Sequence, residues 1–183
     1  AKERLTDIIS SEEIEVYDTK EVIEDYNLKL FLTKQGYLKK VPLVSLRAGG
    51  EHKLKEDDKI VKEFEETNLG ELIVFSNKTN AYKVRICDIA DCKLSQMGEF
   101  LKSVLEFEAD EEVIDVFPAN GYAGYFLFAY DNGKAAKIPL ESYKTKTNRK
   151  KLINSYSDKA RLIKIIYLKE DCEMVAYSNI GKI

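Results

Sequence analysis

The side chains with the clearest chemistry in this sequence are basic and grouped. Lys34, Lys39, Lys40, Arg47 and Lys53 fall in one stretch, Lys83 and Arg85 in a second, and Lys134, Lys137, Lys144, Lys146, Arg149, Lys150 and Lys151 in a third. Cations set along one surface neutralise phosphates and release counterions, which gives salt-dependent and largely sequence-independent affinity for a polyanion. The competing reading is a solvated face, the usual fate of lysine. Whole-chain charge does not decide between them, because the net value is −3. Residues 3–27 are rich in acids, whereas 134–169 are rich in bases, with Glu141 and Asp158 the only acids. A polyanion responds to such a local field rather than to the average. In Arg47-Ala48-Gly49-Gly50, two glycines let backbone N–H groups approach a phosphate, or else form a flexible loop.

Other chemistries find less support. His52 is the only histidine, so no Ser/His/Asp set can be assembled and no metal site is indicated; a loop histidine between charges is expected at the surface. Cys87, Cys92 and Cys172 are odd in number and lack paired spacing, which argues against a disulfide framework and for a reducing, cytoplasmic setting. Asp57-Asp58 and Glu111-Glu112 precede equivalent strands, where a role in turns and edge protection is expected rather than acid–base catalysis. There is no glycine-rich nucleotide-binding motif, signal peptide or membrane-length apolar run. The expectation is therefore no catalytic residue, no metal, no cofactor and no membrane partner.

The elements that must position the basic groups are repeated hairpins. Phe31–Leu43 carries a β-rich run, a turn at Gly36 and Val41-Pro42-Leu43; Phe128–Leu140 repeats it with Gly133 and Ile138-Pro139-Leu140. Val74–Ile86 is a degenerate copy with Thr79 where the others have glycine, and a fourth copy begins at Val175. The glycines supply the positive φ of a tight turn. Ile60–Phe64, Val113–Phe117 and Leu162–Ile166 alternate as half-buried strands, each assigned to the hairpin that follows it. A period of about 45–50 residues is that of propeller units. The fold class expected is all-β, a propeller-like repeat of four-stranded blades forming a partial ring. An acidic arm (1–27) precedes tandem blades (28–183), with hairpins near 28–46, 70–89 and 125–143 and the start of a fourth at 172–183. Tyr37, Tyr82, Tyr122, Tyr125 and Tyr130 are placed on strands, packing within or between blades. The chain reads as a fragment of a longer protein.

The stretch Thr33-Lys34-Gln35-Gly36-Tyr37-Leu38-Lys39-Lys40 resembles the first blade of the C-terminal domain of bacterial type IIA DNA topoisomerase A subunits (topoisomerase IV A and gyrase A). Lys83-Val84 and Lys137-Ile138-Pro139-Leu140 look like later blades, and Met97-Gly98-Glu99-Phe100-Leu101 like an inter-blade connection. The resemblance implies a β-pinwheel, a non-catalytic module that binds and bends duplex DNA at a basic rim. It also implies a parent topoisomerase whose cleaving tyrosine lies upstream and whose ATPase is a partner subunit. The basic glycine box of gyrase A is degenerate here, keeping only Arg47, Gly49 and Gly50, which favours a topoisomerase IV-like assignment. A protein-interaction propeller without nucleic-acid binding is the alternative.

Overall fold

The computed structural model describes residues 22–145, 150–173 and 175. The chain runs β1 (Asn27–Thr33), β2 (Tyr37–Pro42), α1 (Leu43–Arg47), β3 (Ile60–Thr67), β4 (Glu71–Ser76), β5 (Ala81–Arg85), β6 (Glu99–Phe100), α2 (Leu101–Val104), β7 (Val113–Pro118), β8 (Tyr125–Tyr130), β9 (Ala135–Pro139), β10 (Lys151–Leu152) and β11 (Leu162–Leu168). Three antiparallel sheets result, ordered β3-β1-β2-β6, β7-β4-β5-β10 and β11-β8-β9. The first two have the four strands expected of a blade; the third has three among the described residues.

The pairing corrects the unit read from the sequence. β3, β7 and β11 do not serve the hairpins that follow them; they fold back onto β1, β4 and β8 of the hairpins before them. The short strands β6 and β10 come from beyond the next hairpin and complete the sheet before it. Each sheet is thus closed by chain that has already passed through its neighbour.

The sheets repeat one another down to single hydrogen bonds. The N–H groups of Lys34, Asn77 and Asp131, each just inside a hairpin turn, donate to the carbonyls of Lys59, Glu112 and Arg161, each just before an outer strand. Every outer pairing also carries a bulge beside the turn. The turns share one conformation, with φ of 86° at Gly36, 76° at Gly133 and 60° at Thr79. A β-branched residue in the left-handed region is an outlier. Thr79 is held there by the Ser76 N–H bond to the Asn80 carbonyl and by Ser155, whose N–H (2.7 Å) and hydroxyl (2.8 Å) both donate to the Thr79 carbonyl.

Alternating side chains fill two cores between the sheets. Leu28, Leu30, Leu32 and Leu38 of the first sheet meet Leu72, Val74, Tyr82 and Val84 of the second. From the opposite face of the second sheet, Ile73, Phe75 and Ala81 meet Phe126, Phe128 and Tyr130 of the third. Leu72–Phe75 is buried throughout because β4 has a core on both faces. Phe75 sits edge-on to Phe126 (5.2 Å), Phe128 (5.5 Å) and Tyr143 (5.6 Å). Each such fully buried side chain contributes about 1.5–3 kcal/mol. A smaller cluster, Phe31 and Val41 under Cys92 and Leu94, covers the outer face of the first sheet with the connection that follows β5.

Two expectations change here. Tyr122 is not on a strand; it ends a 3-10 turn, Asn120–Tyr122. Glu111 is not an edge-protecting surface acid: it is fully buried. Its Oε1 accepts from the Ser76 hydroxyl (2.5 Å), the Asn80 amide (2.8 Å) and the Tyr82 hydroxyl (2.9 Å). Asp58 occupies the equivalent place in the first sheet and accepts the Gln35 N–H at 3.0 Å. Both acids brace hairpin turns, and Glu111 does so beneath the turn that lacks glycine.

Candidate nucleic-acid interface

Closure of the second sheet brings together basic residues that are far apart in sequence. β10 lies along the open edge of β5, with Lys151 opposite Tyr82, and the Lys83 N–H donates to the Lys150 carbonyl at 2.8 Å. Lys83, Arg85, Lys150 and Lys151 therefore line one cleft of about 540 Å3, walled on the far side by Val104, Leu105 and Glu106. Tyr122 ties in a fifth cation: the Lys83 and Lys144 ammonium groups lie 5.8 Å and 6.0 Å from its ring centre. Lys151 lies 5.5 Å from the ring centre of Tyr82.

Carboxylates temper this field. Arg85 forms a two-pronged bond with Asp88, Nε to Oδ2 at 3.0 Å and Nη2 to Oδ1 at 2.7 Å. That guanidinium holds the Asp88 carboxyl below the usual carboxylate range, against a smaller opposing effect of burial, and Lys150 adds to the depression. Glu71 stands 3.8 Å from Lys83, and Glu108 stands 3.9 Å from Lys151. Glu71 also accepts the Tyr122 hydroxyl. Burial and that bond push the Tyr122 phenol well above its ordinary value.

Two residues read from the sequence as phosphate contacts are structural instead. Lys39 is fully buried, and its ammonium donates to the carbonyls of Lys53 (3.1 Å) and Leu94 (2.7 Å). Burial lowers its pKa. Lys40 is buried as well, bonded to the Ile89 carbonyl at 3.0 Å and paired with Asp91 at 2.9 Å. Both act as struts under the connection that crosses the first sheet, out of reach of a phosphate. Strand alternation concealed this, because a strand covered on both faces has no solvent side for its lysines.

Register explains a further regularity. Lys40, Lys83 and Lys137 are equivalent in the three hairpins. Each pairs with a carboxylate (Asp91, Glu71, Asp171) and lies over a tyrosine (Tyr26, Tyr122, Tyr125). The same position thus grades from buried to half-buried to exposed.

The remaining candidates are dispersed. Lys34 is exposed on the first turn, Lys53 on the loop after α1, and Lys134 just after the third turn. Arg47 is exposed at the end of α1. The Gly49 N–H closes that helix onto the Leu46 carbonyl at 3.0 Å, so this donor is already used. Lys146 and Arg149 lie outside the described residues, as do the acidic arm up to residue 21 and most of the fourth repeat. The outer strand β3 exposes Glu63 and Glu65, so the first sheet is acidic along that edge. His52 is not a free surface histidine: it packs edge-on against Phe31, centres 4.7 Å apart. Its pKa is lowered by burial and then by Lys39. Asp88 and Tyr122 escaped the sequence reading. The Arg85-x-x-Asp88 spacing was a usable signal for the first, whereas nothing local signals the second. Among the described residues, no group of three or more His, Cys, Asp or Glu could hold a metal ion, and no helix is long and apolar enough to cross a membrane.

No family model matches the chain. It is 28% identical over 169 residues to the topoisomerase IV ParC-type protein of Staphylococcus epidermidis (the A subunit of DNA topoisomerase 4), covering 89% of this chain and 21% of that protein. It is 28% identical over 185 residues to its Staphylococcus aureus counterpart, covering 98% of this chain and 23% of that protein. The chain thus spans about a quarter of the length of these relatives. Among solved structures, it matches the C-terminal domain of a DNA topoisomerase IV with a TM-score of 0.69 and 25% identity, over 80% of this chain and 47% of that one. It matches the E. coli ParC C-terminal domain with a TM-score of 0.62 and 12% identity, over 79% and 58% of the two chains. A DNA gyrase A C-terminal domain follows with a TM-score of 0.57 and 17% identity, over 81% and 51%. The homologues of this chain are therefore topoisomerase IV A subunits, and its interlocked antiparallel sheets have the fold of the C-terminal domains of topoisomerase IV and gyrase A subunits.

Proposed function

We propose that this chain is a non-catalytic DNA-binding module of a type IIA topoisomerase A subunit, acting in the cytoplasm on chromosomal DNA. It takes duplex DNA through phosphate contacts at the β5–β10 edge and presents it, bent, for strand passage by the rest of the parent enzyme and its ATPase partner subunit. The observation that carries this reading is the convergence of Lys83, Arg85, Lys144, Lys150 and Lys151 in a chain whose homologues are topoisomerase IV A subunits. Phosphate contacts of this kind supply most non-specific affinity. They must also offset the elastic cost of a bent duplex, about 1–6 kcal/mol. The tyrosines fit a structural rather than a strand-cleaving role: burial pushes the phenols of Tyr82, Tyr122, Tyr143 and Tyr156 up, away from the ionised form a nucleophile needs.

The acidic outer edge of β3 favours the alternative, a protein-interaction module, at that face. Fluorescence anisotropy with a blunt DNA duplex at two salt concentrations separates the readings. Binding that weakens with salt is expected. The double variant Lys150→Ala/Lys151→Ala should bind more weakly, with a salt slope shallower by roughly 1.8, about 0.9 for each lost phosphate contact. Affinity that is absent at low salt, or indifferent to salt, would overturn the proposal.

A further inference from the structure

The second hairpin breaks the repeat at one position. Where the first and third hairpins place Pro42 and Pro139 before a helical turn, the second places Arg85. Proline there offers no side-chain charge, whereas Arg85 puts a guanidinium at the mouth of the basic cleft. The same turn supplies the group that occupies it. Asp88, three residues on, accepts two of the guanidinium N–H groups in the geometry a phosphate would use. Both side chains are substantially exposed, Arg85 at 62% and Asp88 at 40%. Exposure argues against a stabilising role, since an exposed pair at this spacing contributes little to stability.

We infer that Asp88 is a built-in competitor for Arg85, an intramolecular stand-in for the DNA phosphate that weakens binding at the β5–β10 edge and speeds release of the duplex. This rests on reading that edge as a DNA interface. In the free chain the carboxylate fixes the rotamer of Arg85 and cancels its charge. A phosphodiester oxygen arriving beside Lys150 then exchanges places with the carboxylate on the guanidinium, while Asp88 turns to solvent. The two anions cannot both hold the paired N–H groups, so each contact made by DNA is offset by the one Asp88 gives up. A module that must let go of its duplex at each passage is served by such a contact.

The test is duplex binding by anisotropy across a salt series for the unaltered chain, Asp88→Asn, Arg85→Ala and the double variant, with urea denaturation to establish that each is folded. Removing one negative charge about 5 Å from a phosphate in a water-like medium strengthens binding about fourfold. Asp88→Asn should therefore tighten binding by that factor and steepen the salt slope by about 0.9. Arg85→Ala alone should change little, and the gain from Asp88→Asn should vanish when Arg85 is alanine. An unchanged affinity in Asp88→Asn, with Lys150→Ala/Lys151→Ala still weakening binding, overturns the inference and leaves the DNA reading standing. A gain that persists in the double variant also overturns it, since the effect would then be general charge rather than competition for Arg85. Loss of salt-dependent binding in the unaltered chain overturns both.

Discussion

Replacing Glu111 tests the packing of the second sheet at a single buried atom. Its Oε1 gathers three side-chain donors, and the Glu108 N–H points at Oε2 from 3.3 Å. Glutamine keeps the shape but removes the charge. Bonds to an ionised acceptor are worth about twice their neutral counterparts, so three of them lose about 0.5–1 kcal/mol each. The new amide also turns a donor toward either the Glu108 N–H or the three-donor cluster. The expected cost of Glu111→Gln is about 2–3 kcal/mol, a fall in melting temperature of roughly 4–12 °C for a domain of this size. Glu111→Ala should cost more, about 3–5 kcal/mol, because the donors lose their acceptor altogether. Burial alone would raise the Glu111 pKa, but the donors outweigh it and hold the carboxyl below its ordinary value. The sign of the pH effect follows from that depression. The stabilisation is present at neutral pH and is lost as pH falls through the folded-state value. The gap between native and Glu111→Gln proteins measured by urea denaturation should therefore narrow below about pH 4. A Glu111→Gln protein within 0.5 kcal/mol, or about one-fifth of the expected effect, at pH 7 would refute the reasoning, as would a gap that widens in acid.

Two further substitutions address the backbone. Thr79→Gly should stabilise by about 0.5–1 kcal/mol, because relief of a left-handed β-branched residue outweighs the extra chain entropy of glycine; a lower urea midpoint in the variant would contradict this. Gly98→Ala should destabilise by roughly 2–4 kcal/mol, since a Cβ there would sit 2.5 Å from the Leu38 carbonyl oxygen and 2.9 Å from Lys39 Cγ, at a φ of +82°. A melting temperature unchanged by Gly98→Ala would show that β6 does not need this close approach to β2.

The sequence alone determined the local chemistry. Gly36, Gly133 and the Val/Ile-Pro-Leu segments marked the hairpins, because turn geometry and strand alternation are properties of a few neighbouring residues. Even the defective copy was legible, and Thr79 takes the left-handed place that its alignment with glycine required. Tertiary structure decided everything that depends on which edge meets which. No local signal shows that β3 turns back to β1 rather than forward to β4, or that Glu99-Phe100 and Lys151-Leu152 complete sheets their chain has already left. That choice decides the fate of the lysines. Lys39 and Lys40, the most suggestive pair in the sequence, are buried because the connection after β5 covers their sheet on its outer face. Lys83 and Arg85, far less conspicuous, gain Lys150 and Lys151 as neighbours because β10 closes their edge. Charge can be read from residue types, but whether a charge meets water, a carbonyl or another charge is set by long-range strand pairing, and that pairing is what places the basic cluster on the second sheet.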